Sequence, residues 1–190
     1  MIFRTTMALA ILLAGGPTLA APPPELEAEQ VNVDAAGGWL ALGGSVQQQL
    51  AQSFEVVQAG YVSHVMVPMS CQPKADVRVT LEKTTGGMPD GSVLAYEELP
   101  GYLFDSVPTP ALGMRMIEFS APPLVGPGTY AVTLRVKGRY DCGVVAGPHG
   151  DPYPAASAWF IALGNPPGWI ELFDAGGTRD LAFQVYLRPL

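Results

Sequence analysis

The chain has 190 residues, a formal charge of −7 and 41 glycines and prolines. Such acidity repels nucleic acid and anionic lipid head groups, so neither is an expected partner. Turn residues this frequent leave little room for long helices, while an apolar fraction of 48% is too high for a disordered chain.

The first twenty residues have the layout of a secretory signal peptide. Arg4 and the amino terminus give a positive start, Met7–Ala14 is apolar, and Gly15-Gly16-Pro17 breaks that run before Thr18-Leu19-Ala20. The apolar run is too short to span a membrane. Cleavage after Ala20 is expected, because cutting one residue later would put Pro22 at the new N-terminus; a retained N-terminal anchor is the alternative. Removal takes Arg4 away, makes the charge −8 and leaves about 170 residues, enough for one domain with a substantial core. Residues 21–37 start as APPPELEAEQ and read as a flexible leader, proline-rich and then acidic. A single domain is expected over 38–190.

Within that domain, short apolar segments alternate with turn residues. A first strand fits at 38–42, followed by 47–56 (Leu50, Phe54, Val56) and 61–70 (Val65, Val67, Met69). Asp76–Glu82 is clearer: Val77, Val79 and Leu81 alternate with Arg78, Thr80 and Glu82, the period of a half-buried strand. Further strands fit at 92–97, 114–119 (Ile117, Phe119) and 129–137. In the last, Tyr130, Val132, Leu134 and Val136 face one way, Thr133, Arg135 and Lys137 the other. Segments 155–163, 168–173 and 180–187 complete the set. Nine or ten antiparallel strands without a substantial helix define an all-β chain, a two-sheet antiparallel β-sandwich. Long connections at Leu99–Gly113 and Gly138–Pro154 favour jelly-roll over immunoglobulin-like topology.

Cys71 and Cys142 are the only cysteines. An isolated pair in an exported chain is most simply a disulfide, closing a loop of about 70 residues and worth roughly 4 kcal/mol. Two free thiols or half a metal site are the alternatives, and no nearby histidine completes a zinc set.

Four local patterns, in order, resemble a family of exported bacterial β-sandwich modules, the galactose-binding-like jelly rolls found beside surface-anchoring signals ("choice-of-anchor" modules). They are Ala51-Gln52-Ser53-Phe54, Gly87-Met88-Pro89-Asp90-Gly91-Ser92-Val93-Leu94-Ala95, Gly126-Pro127-Gly128-Thr129-Tyr130 and Asp180-Leu181-Ala182-Phe183-Gln184-Val185-Tyr186. The likeness covers about residues 45–187. It implies a non-catalytic binding or surface role, commonly towards carbohydrate, with an envelope protein as the alternative partner. No sorting motif or basic tail follows residue 187, which favours a soluble periplasmic or extracellular form over an anchored one.

Catalytic patterns are sparse. There is no G-x-S-x-G elbow, no H-E-x-x-H and no phosphate loop. Glu97 and Glu98 are adjacent, so a strand points them to opposite faces and they cannot flank one glycosidic bond. Glu171 and Asp174 have the wrong spacing for a glycanase pair. His64 sits in an expected strand as an exposed or sheet-face residue. His149 lies in an expected Gly/Pro loop beside Asp141 and Asp151, where it could assist a ligand but reads first as a solvated loop residue. The chain is therefore expected to be no enzyme, and no cofactor is expected. A structural calcium on Asp141, Asp151, Asp174 or Asp180 is possible, although no calcium loop is formed.

Aromatic side chains are the better candidates. Trp39, Trp159, Trp169, Tyr102, Tyr140 and Tyr153 could stack on a sugar ring if exposed. Trp159 reads as core. The loop Gly138–Pro154, pinned by Cys142, mixes Tyr140, Asp151 and Tyr153, and Trp169 starts a strand after Asn165–Gly168. The expected ligand-binding set is Tyr140, Asp151, Tyr153 and Trp169, with prolines restraining both loops.

Overall fold

The computed structural model of the chain describes residues 21–34, 39–107 and 113–190. The expected signal peptide and the end of the expected leader, 35–37, lie outside the described residues. In chain order the strands are β1 (Glu25–Gln30), β2 (Trp39–Gly43), β3 (Gln49–Val56), β4 (Gly60–Val67), β5 (Met69–Cys71) and β6 (Asp76–Thr85). Then follow β7 (Met88–Pro100), β8 (Asp105–Ser106), β9 (Arg115–Glu118), β10 (Leu124–Val125), β11 (Gly128–Lys137) and β12 (Asp141–His149). The last are β13 (Ala158–Ile161), β14 (Ile170–Glu171), β15 (Phe173–Asp174), β16 (Gly177–Leu181) and β17 (Phe183–Pro189). One 3-10 turn, Gly101–Leu103, interrupts them.

The strands form three hydrogen-bonded sheets. One runs β1-β17-β4-β10, with β9 also on β4; the second runs β14-β13-β3-β11-β6-β7; the third runs β15-β16-β12-β5-β8, with β2 also on β12. Only β5–β8 is parallel among the described strands. Two of the passages between the first and third sheets cross a single residue, from β4 to β5 at Pro68 and from β16 to β17 at Ala182. The result is an all-β, antiparallel, sandwich-like protein.

Alternation explains how the second sheet meets its core. Val77, Val79 and Leu81 of β6, Leu134 of β11, and Leu50 and Phe54 of β3 are buried in one cluster with Val62 and Val65 of β4 and Phe183 and Val185 of β17. Each such side chain contributes roughly 1.5–3 kcal/mol on removal from water. The opposite parity of the same three strands builds the polar face described below.

Three expectations are corrected. Seventeen strand segments are present among the described residues where nine or ten were expected. Breaks at Pro68, Leu172 and Ala182 divide three expected strands, and β1, β8, β10 and β12 were not anticipated. The leader is the second correction: Glu25–Gln30 is a strand paired with β17, with Ala28 and Gln30 buried. Alanine and glutamine carry little strand signal, and backbone pairing with β17 leaves no mark on the side-chain pattern.

The third correction concerns Gly138–Pro154. Most of it is β12, a nine-residue strand whose residues Cys142–Gly147 are all buried. Covered on both faces, this strand has an apolar run without alternation. Its glycines mark close packing rather than a loop. A Cβ on Gly143 would overlap the Trp39 ring, and one on Gly147 would overlap the Gln30 amide. Cys71 and Cys142 are bonded, but between two strands: they face each other in register on β5 and β12, with Cα atoms 4.0 Å apart.

Candidate functional site

The outer face of the β3–β11–β6–β7 region is polar by sequence parity. Register sets Tyr96, Thr80, Thr133, Ala51 and Trp159 side by side across five strands, and Glu98, Arg78 and Arg135 across three. Ala51, Ser53, Thr80, Glu82 and Thr133 are buried even though they point away from the core. They are closed over by their neighbours. Trp159 Nε1 donates to Ser53 Oγ at 3.0 Å, and Ser53 Oγ donates to the Gly87 carbonyl at 2.5 Å. Thr133 Oγ1 donates to Glu82 Oε1 at 2.8 Å, and the Gly91 amide to Glu82 Oε2 at 3.2 Å.

The β6–β7 hairpin supplies that lid. Thr85 pairs with Met88, leaving Gly86-Gly87 as a two-residue loop with φ of 60° and 85°. Positive φ at both central residues is the type I′ geometry, which a glycine pair adopts without strain. Half of the face is therefore closed by the hairpin tip against Trp159.

The other half is open. A groove of about 480 Å³ is lined by Gln47, Gln49, Arg78, Arg135, Lys137 and Arg139, with Val136 and Gly138 between them. A second hollow of about 240 Å³ shares Gln47 and Gln49 and continues to Ile161 and to Asn165-Pro166-Pro167. Four of the chain's ten Lys and Arg residues line the first groove, and no carboxylate does. At its margin the Arg78 guanidinium lies 4.0 Å over the ring of Tyr96, which is 51% exposed. Lys137 Nζ stands 2.7 Å from Glu98 Oε1, and this hydrogen bond holds the Glu98 carboxyl below the usual range.

The four residues expected from sequence do not meet at one surface. Tyr140, 41% exposed, follows Arg139 at the groove, and its carbonyl accepts from the Gly44 amide at 2.9 Å. Trp169, half-buried, comes two residues after Pro167 of the adjoining hollow. Asp151 and Tyr153 lie beyond the far end of β12, on the order of 25 Å from Tyr140 along a nine-residue strand. Asp151 is exposed with φ of 58°. Tyr153 is structural: its ring meets Phe183 edge-on at 5.1 Å, its oxygen accepts from the Glu55 amide at 3.3 Å, and burial pushes its hydroxyl pKa up.

Arg78, Tyr96 and Arg135 were not singled out in the sequence. Their outward parity was legible; that β6 pairs with β11 and β7, which brings them together, was not.

The acids considered for calcium have other partners or stand apart. Among the described residues no three metal-ligating side chains converge. Asp174 Oδ1 is 2.5 Å from His149 Nε2, and Asp174 Oδ2 is 2.8 Å from Arg179 Nε. Asp180, 2% exposed, accepts from Gln52 Nε2 at 3.0 Å and from the Tyr153 amide at 3.0 Å.

Burial raises the Asp180 carboxyl above the ordinary aspartate range, with the hydrogen bonds from Gln52 and Tyr153 opposing. The stability tied to this group is therefore full below the unfolded aspartate value and lost as pH rises through the elevated one. Asp180→Asn abolishes the titration. The native chain's stability relative to that variant should fall as pH rises from about 3 to 7. Denaturant unfolding of both proteins measures this; a pH-independent difference would contradict it.

Fold and site together define an all-β, sandwich-like protein with a polar, cation-lined sheet face. No family model matches the chain, and no curated protein matches it. Among solved structures it is similar to a chain holding the cysteine protease and lectin-like domains of Cwp84, a surface-layer-associated protein of Clostridium difficile. The TM-score is 0.50 at 10% identity, over 76% of this chain and 33% of that one. This chain thus spans about a third of its neighbour's length, and the likeness is one of fold.

Proposed function

We propose that this protein is an exported, non-catalytic binding module that holds saccharide on the open half of its polar sheet face. The carrying observation is the exposed Tyr96, capped by Arg78, beside a groove lined with hydrogen-bonding side chains. A ring face beside clustered amides and guanidinium groups is the chemistry that takes a pyranose: stacking on one side, donors and acceptors at its rim. The lining suits holding a ligand more than turning it over, since it offers no carboxylate for acid–base work. The lectin-like domain named for the structural neighbour and the sequence resemblance both point the same way. Export to the periplasm or beyond the cell is the reading that the buried disulfide and the signal-like first twenty residues support.

Isothermal titration against a panel of polysaccharides tests this. Tyr96→Ala is expected to weaken binding about tenfold, the range of one aromatic contact, while the melting temperature barely moves because the ring is half exposed. Absence of millimolar or tighter binding across the panel would overturn the reading.

A second reading, packing on an envelope protein, has its own observation. Strand β7 is a 13-residue sheet edge that exposes Met88 and Val93, and bare edges recruit partner strands. A mature protein that stays monomeric by light scattering, and recovers no envelope protein after crosslinking, counts against it.

A further inference from the structure

We infer that the saccharide taken by the groove is acidic, carrying a carboxylate or sulfate beside free hydroxyls. This rests on the proposed saccharide site and adds its charge. The chain is acidic overall, yet Arg78, Arg135, Lys137 and Arg139 gather in one groove. Arg78 and Arg135 are directly opposed across β6 and β11. Like charges in that position repel, so the sheet gains nothing from the pair by itself.

Neighbouring acids match this charge only in part, with Glu98 facing Arg78 in register as well as binding Lys137. Glu98 engages Lys137 at 2.7 Å. Glu82 is buried, already accepts from Thr133 and Gly91, and stands 4.0 Å from Arg135. Asp76 is opposite Lys137 in register. Arg78 is stacked on Tyr96, and neither Arg78 nor Arg139 forms an ion pair among the described residues. Two guanidinium groups side by side present forked donors that match the paired oxygens of a carboxylate or sulfate.

A separate observation points to hydroxyls. Gln49 Oε1, in the same lining, is buried and has no hydrogen-bond donor. Turned out to the groove, the amides of Gln49 and Gln47 would offer a ligand hydroxyl both a donor and an acceptor. Cations for an oxyanion and an amide oxygen for a hydroxyl, on one wall, describe an acidic sugar. A nucleic acid shares the anion but meets a chain whose net charge is −7 overall.

The test titrates the mature protein with polygalacturonate, dextran sulfate, neutral dextran and single-stranded DNA, at roughly 50 and 200 mM salt. One or both acidic polysaccharides should bind about tenfold or more tighter than neutral dextran and weaken severalfold at the higher salt. The two acidic probes show which oxyanion is preferred. Arg78→Gln with Arg135→Gln should abolish that preference with the melting temperature kept, and Arg135→Lys should restore part of it. Equal binding of neutral dextran, unchanged by the arginine variants, would overturn the charge assignment and leave the saccharide site standing. Stronger binding of DNA overturns it too. No binding of any polysaccharide removes the saccharide site itself, and the inference with it.

Discussion

Replacing Cys71 and Cys142 with alanine is expected to lower the unfolding free energy by about 4 kcal/mol, within the 2–5 kcal/mol usual for a native bridge. The sequence separation is 71, and the enclosed segment carries β6 through β11, including the two strands that hold Arg78 and Arg135. Without the bridge, the unfolded chain regains the freedom of that long loop. The native state also loses a link between β12 and the three-residue β5. Both cysteines are almost fully buried, so serine in their place should cost more than alanine, because each hydroxyl would need a partner. Urea unfolding with and without reductant measures the effect directly. A loss under about 1 kcal/mol would show that strand pairing alone holds the two sheet regions together.

Gln52→Leu is expected to destabilise the protein by about 2–4 kcal/mol, although it places an apolar side chain of similar size in a site that is 1% exposed. Hydrophobic bookkeeping alone gives the opposite sign. Gln52 Oε1 accepts from the Leu181 amide at 2.8 Å, and its Nε2 donates to the Asp180 carboxylate at 3.0 Å and to the Ser53 carbonyl at 3.1 Å. Leucine would strand an amide and half of a carboxylate inside the protein. This bond set also ties β3 of the second sheet to β16 of the third. Asp180→Asn in the same chain should recover part of the loss, since the stranded group then carries no charge. A neutral or stabilising Gln52→Leu would mean that water or rearrangement satisfies these groups.

Strands that alternate cleanly were legible. Val77, Val79 and Leu81 were read inward and are fully buried, and Leu134 on β11 behaves likewise. Strands whose two faces are both covered were not, because β12 shows a continuous apolar run broken by glycine, which reads as a loop until Trp39 is seen lying over Gly143. The bridge between Cys71 and Cys142 was legible from their isolation in the sequence; that it links two paired strands was not. The site suffered most. Tyr140, Asp151 and Tyr153 look adjacent in a loop, but a strand between them carries Tyr140 to one end and the other two to the opposite one. Arg78 and Arg135 are 57 positions apart and become neighbours only through the β6–β11 register. Long-range pairing leaves no local mark on either segment.

The claim at the centre of this account is that ligand lies on the open half of the second sheet's polar face. Backbone amide chemical shifts, followed while an acidic oligosaccharide is titrated into the mature protein, test it most directly. The account predicts saturable shifts concentrated at Gln47–Gln49, at Arg78 with Tyr96, and at Arg135–Tyr140. Shifts centred instead on Asp151 and Tyr153, beyond the far end of β12, would contradict it.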